Sequence, residues 1–208
     1  MESEWATEQL KTIRTLMERA AVYRRALAPT TIAAGVIGIF AGLFGWTTPI
    51  ASPEQFITYW LGIATLTLGK AFVLVRRQAL NASEPFWSPP TKKVAQAIAP
   101  PLFAGLVVSL SVLSRVTRDE STAWKLVAIW MLLYGCALHS AGFFMQRGIR
   151  LFGWIYVLLG TATVAAIAWT ESKGTLPQLR FAHAWMGFGF GMAHLCYGTY
   201  LKRTETAI

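Results

Sequence analysis

The sequence predicts an all-α integral membrane protein: a six-span transmembrane helical bundle, arranged as three helical hairpins and preceded by a cytoplasmic amphipathic helix at the membrane interface. Three observations lead there. Apolar residues make up 54% of the 208-residue chain and charged residues only 14%, whereas about a quarter of the residues of a soluble domain are charged. The charges gather between apolar runs of about 20 residues, the length that crosses a bilayer. Most of the basic residues then fall on one side of those runs, which gives the bundle an orientation.

Residues 1–28 form the first element. Glu4 and Glu8 stand near its start and Lys11, Arg14, Arg19, Arg24 and Arg25 follow, the order that a helix dipole favours. Leu10, Ile13, Met17 and Ala20 share one face, so this helix is expected to lie on the membrane against anionic lipid headgroups. A partner protein recruited through the same face is the alternative. Pro29 is expected to separate it from the first span, because proline disfavours helical geometry in the residue before it. With this long charged lead and no cleavage-like flank, the first span reads as retained rather than as a signal peptide.

The bundle occupies residues 29–201, with spans expected at 29–48, 56–75, 98–114, 123–144, 151–169 and 182–201 and a short tail at 202–208. With the N-terminus inside, thirteen basic residues lie on the cytoplasmic side, among them Arg76, Arg77, Lys92, Lys93, Arg147, Arg150, Lys202 and Arg203. Five lie outside: Arg115, Arg118, Lys125, Lys173 and Arg180. The expected location is therefore a bacterial inner membrane, with both ends in the cytoplasm. The net charge of +9 follows from this placement, and no basic stripe with interleaved aromatics suggests nucleic acid. Trp46, Trp124 and Trp169 at outer span ends, and Trp87 in the long inner loop, read as membrane anchors. Cys136 and Cys196 fall within spans and build no disulfide framework.

A weak repeat runs through the chain. Ala26-Leu27-Ala28-Pro29 returns as Ala97-Ile98-Ala99-Pro100, and Trp60, Trp130 and Trp185 are each followed seventeen residues later by a cation, Arg77, Arg147 and Lys202. Seventeen helical residues rise about 26 Å, so each returning helix carries an aromatic near one face and a cation at the other. Gly38-xxx-Gly42 in the first span and Gly187-xxx-Gly191 in the sixth offer faces for close helix packing. Packing within one chain is favoured over a homo-oligomer contact.

Ionisable groups inside spans are costly and mark function by default. Here they are Lys70 in span two, His139 beside Ser140 in span four, and His194 in span six; no Asp or Glu lies in any span. Counting nine residues from each tryptophan places Gly69, His139 and His194 at one depth, in the cytoplasmic third of the bilayer. Lys70, His139, Ser140 and His194 are thus the expected ligand-binding layer. A small transporter or ligand-binding protein is the leading expectation and a membrane scaffold is another. A third is a b-type haem protein, with His139 and His194 as the axial residues. His183, at the outer end of span six, is expected at the interface. No metal cluster and no catalytic motif such as His-Glu-x-x-His is present, so an enzyme is not favoured. A serine in span four and a histidine in span six resemble the rhomboid intramembrane proteases. The family's Gly-x-Ser-Gly is here Leu138-His139-Ser140-Ala141-Gly142, however, and Ser140 lies toward the opposite end of its span, so the chain is not assigned to that family.

Overall fold

The computed structural model describes Trp5 and residues 27–50, 52–81, 83, 85–114, 119–145 and 147–205. Among the described residues the chain is helical, with no strand. Six rods follow one another: α1 (Leu27–Thr47), α2 (Pro53–Asn81), α3 (Pro89–Leu113), α4 (Glu120–Ala141), α5 (Arg147–Ser172) and a composite last rod. That rod joins α6 (Leu179–Met186), a π-helical stretch (Gly187–Met192) and α7 (Ala193–Glu205). The first five are each long and apolar enough to cross a membrane. The amphipathic helix expected over 1–28 lies outside the described residues, apart from Trp5 and its last two positions.

Two boundaries differ from expectation, both at prolines. Leu27 and Ala28 are already helical, so no break falls immediately before Pro29; proline restrains the preceding residue without forbidding helix there. The Thr31 hydroxyl donates to the Leu27 carbonyl at 2.7 Å across this turn. α3 begins at Pro89, well before the expected 98, and runs through Pro100 and Pro101. Its start is favourable because a proline in the first turn forgoes an amide that has no helical partner anyway. Ser88 and Thr91 close that turn with a 2.8 Å hydroxyl pair, and Thr91 also donates to the Phe86 carbonyl at 3.0 Å.

Glycine decides which rods pack closest. α1 lies antiparallel to the last rod: a methyl carbon on Gly38 would sit 2.8 Å from Gly191 Cα, and one on Gly187 would sit 2.8 Å from Gly42 Cα. The two Gly-xxx-Gly motifs thus face each other within one chain, the small-residue packing that membrane helices favour. α4 and α5 form a second close pair, in which Gly135 meets Val157 and Gly153, Gly153 meets the His139 backbone, and Gly160 meets Leu132. α3 packs on the other side of α4. α2 is buried mainly at its start, through Phe56, Ile57 and Trp60, and most of the rest of its length faces outward.

Glu54, Asp119, Glu120 and Glu171 gather at one end of the bundle. Asp119 caps α4, accepting from the Ser121 amide at 2.9 Å and also from the Ser121 hydroxyl. The hydroxyl bond first, and the amide bond after it, hold this exposed carboxyl below its ordinary pKa. Trp124 is buried rather than anchored in lipid, and its indole donates to the Pro177 carbonyl at 2.9 Å. Trp46, Trp87 and Trp169 are exposed, as a headgroup position requires.

Candidate functional site

His194, the first-turn histidine of α7, is buried at 3% exposure in the centre of the bundle. Its Nε2 lies 2.7 Å from the Tyr134 hydroxyl of α4, and its Nδ1 lies 2.7 Å from both the Tyr156 hydroxyl of α5 and the Phe190 carbonyl. The carbonyl fixes the tautomer. A carbonyl oxygen can only accept, so the proton sits on Nδ1, and Nε2 accepts from Tyr134. Tyr156 donates to the Phe190 carbonyl at 3.2 Å, which leaves its oxygen lone pairs for Nδ1–H. The result is a directed chain from Tyr134 through the imidazole to Phe190.

The backbone supplies the acceptor. Phe190 belongs to the π-helical stretch Gly187–Met192, where the α-helical ladder is interrupted; such interruptions concentrate at functional positions. Aromatic rings close around the imidazole, with Phe190 at 4.3 Å, Phe152 at 5.1 Å, Tyr134 at 5.5 Å and Tyr156 at 5.6 Å between centroids. Low polarity strengthens each of these hydrogen bonds and makes loss of a partner costly.

The other expected site residues are not gathered here. Lys70 is exposed on α2. His139 is half-buried against Phe143 and Trp154, with ring centroids 5.4 and 5.7 Å away, and its Nδ1 has no hydrogen-bond partner. It shares none of His194's ring neighbours. His139 meets α5 at Gly153 and Trp154, whereas His194 meets it at Phe152 and Tyr156, on a different face of that helix. Ser140 is half-buried and makes no hydrogen bond to His194, whose ring nitrogens are both occupied. A haem iron at Nε2 would have to displace Tyr134.

No protein-family model matches this chain, and no curated protein or solved structure is similar to it.

His183 reverses the sequence expectation of an interfacial residue. It is wholly buried, accepts from Trp60 Nε1 at 3.1 Å through Nδ1, and packs edge-on to Phe56 at 4.7 Å. Its ring fits because Gly45 leaves room where any side chain would strike it. The proton is therefore on Nε2, which has no hydrogen-bond partner. Sequence reasoning missed Trp60, Tyr134 and Tyr156 as polar partners. The available signal was that hydroxyls and indoles in mid-span need a partner.

Proposed function

We propose that the chain is a six-span protein of a bacterial inner membrane with both ends in the cytoplasm, acting as a small transporter or ligand-binding protein whose site is centred on His194. The single observation that carries this reading is the coincidence of a buried, doubly hydrogen-bonded histidine with the π-helical stretch of the last rod. Transporters and receptors in membranes place polar sites where a helix is interrupted, because freed backbone groups and flanking glycines can rearrange there without exposing polar atoms to lipid. A solute bearing a donor and an acceptor could replace Tyr134 at Nε2 and compete for the Phe190 carbonyl. The absence of membrane carboxylates from the sequence argues for a coupling that does not use them.

The hairpin arrangement has support in two matching bonds. Trp130 donates to Ser109 at 2.9 Å and Trp185 donates to Thr163 at 3.0 Å, each from a returning helix to the helix before it. In both, the accepting hydroxyl donates to the carbonyl four residues earlier, Gly105 and Leu159, at 2.7 Å. The first hairpin departs, because Trp60 turns to His183 instead. Proteoliposomes test the function: uptake of a solute pool should show at least one species that enters only with the protein and falls about tenfold with His194→Gln. Identical uptake by wild type and variant for every transported solute would refute the site.

A further inference from the structure

We propose that the α4–α5 turn carries a binding site for one anionic phospholipid, built from His139, Phe143, Arg150 and Trp154. It lies on a different face of α5 from the His194 site, and it rests on the cytoplasmic placing of this turn given above.

The four residues form two pairs at helical spacing, His139 with Phe143 leaving α4 and Arg150 with Trp154 entering α5. Arg150 is pressed against Gly142, where any side chain would collide with its Cγ. Its guanidinium carbon lies 4.4 Å from the centroid of the Phe143 ring, which stands perpendicular to the His139 ring at 5.4 Å. Despite this fixed position, Arg150 Nε and His139 Nδ1 are buried without a hydrogen-bond partner. No described carboxylate side chain pairs with Arg150: Glu54, Asp119, Glu120 and Glu171 lie at the opposite ends of their helices.

A half-buried guanidinium held in place without a described carboxylate partner calls for a planar or tetrahedral oxyanion, and a phosphate diester matches its fork. The surroundings identify the source as lipid. Phe143 and Trp154 are 62% and 51% exposed on a surface that faces bilayer. Trp154 stands one turn, about 6 Å, deeper than Arg150, the offset between a phosphate and the top of its acyl chains. His139, packed against Phe143 and Trp154, holds the two rings in place. Basic pockets between spans on the cytoplasmic side recognise headgroups in this way.

The test uses the full chain purified in mild detergent, followed by native mass spectrometry and thermal unfolding while phosphatidylglycerol, phosphatidylcholine or inorganic phosphate is added. Phosphatidylglycerol should persist as a one-lipid adduct and raise Tm, phosphatidylcholine should bind about tenfold more weakly, and inorganic phosphate should do neither. Arg150→Gln should lower phosphatidylglycerol affinity about tenfold and Arg150→Lys less, whereas Lys70→Gln should leave it unchanged. Equal binding of the two lipids, or unaltered binding by Arg150→Gln, overturns the proposal; binding of inorganic phosphate alone overturns the lipid as its ligand. If Arg150→Gln does not fold, the comparison of the two lipids on the wild-type chain decides. His194→Gln should bind phosphatidylglycerol normally, so a failure here and a failure of the His194 reading are separable.

Discussion

Gly38→Ala should weaken the close contact between α1 and the last rod by a calculable amount. The added carbon would stand 2.8 Å from Gly191 Cα and 3.1 Å from Gly191 N, whereas non-bonded carbons rest at about 3.5–4.0 Å. Both obstacles are backbone atoms, so no rotamer change relieves them, and α1 must retreat by about 1 Å. Forcing one methyl group into a packed interface costs about 1–3 kcal/mol. Alanine returns about 1 kcal/mol through helix propensity. Gly62→Ala supplies the control, because nothing lies within 4 Å of a methyl group there, and it should gain the propensity without the clash. The difference between the two variants isolates the steric part, about 1–3 kcal/mol, or about 2–12 °C in Tm for a chain of this size. Thermal unfolding in one detergent measures it. Equal Tm values for Gly38→Ala and Gly62→Ala would refute the close α1 contact with the last rod.

Tyr134→Phe should destabilise by about 1–3 kcal/mol because it leaves His194 Nε2 buried without its donor, while Tyr134→Phe/Tyr156→Phe/His194→Leu should recover much of that loss, since no polar group is then stranded; denaturant titration of both variants checks the pair. Asp119 has a lowered folded-state pKa, so its contribution is complete above the unfolded carboxyl range and lost as pH falls through the folded value. Asp119→Asn should therefore flatten the acid limb of a Tm-against-pH curve and leave the curve near neutral pH unsloped by this group. In a chain with Cys136 and Cys196 replaced by alanine, a membrane-impermeant maleimide should label Thr175→Cys in intact spheroplasts and Ser83→Cys only after lysis. The reverse pattern would invert the orientation, and labelling of both from one side would contradict the span count.

Much of the fold was legible because hydropathy and glycine spacing are local. The first five rods coincide with apolar runs, and the two Gly-xxx-Gly motifs were readable as close-packing faces, although which helices they join is a tertiary fact. The start of α3 was missed because Pro100 looked like an opening residue, whereas Pro89 with Ser88 before it makes the better first turn. The polar layer was legible only in part. His194 was found by its rarity in a span, but its partners Tyr134 and Tyr156 resemble ordinary span tyrosines until three helices are assembled. The shared depth expected for His139 and His194 assumed nine α-helical residues after each tryptophan. On α5 the two histidines meet neighbouring residues, His139 at Gly153 and Trp154 and His194 at Phe152 and Tyr156, but on different faces, so a shared level did not bring them together. His183 was assigned to the interface from its position at a span end, and the contact that buries it comes from Trp60 on a helix 123 residues away.

The account turns on a histidine in the interrupted rod whose two nitrogens have opposite roles. Nitrogen-15 NMR of histidine-labelled protein in bilayers at neutral pH, with His194→Gln to assign the signal, observes those nitrogens directly. The expected spectrum has the His194 proton on Nδ1, slow to exchange with solvent, and a bare Nε2 shifted by the Tyr134 hydrogen bond, a shift that disappears in Tyr134→Phe. A proton on Nε2, or a ring exchanging freely with water, would contradict the site.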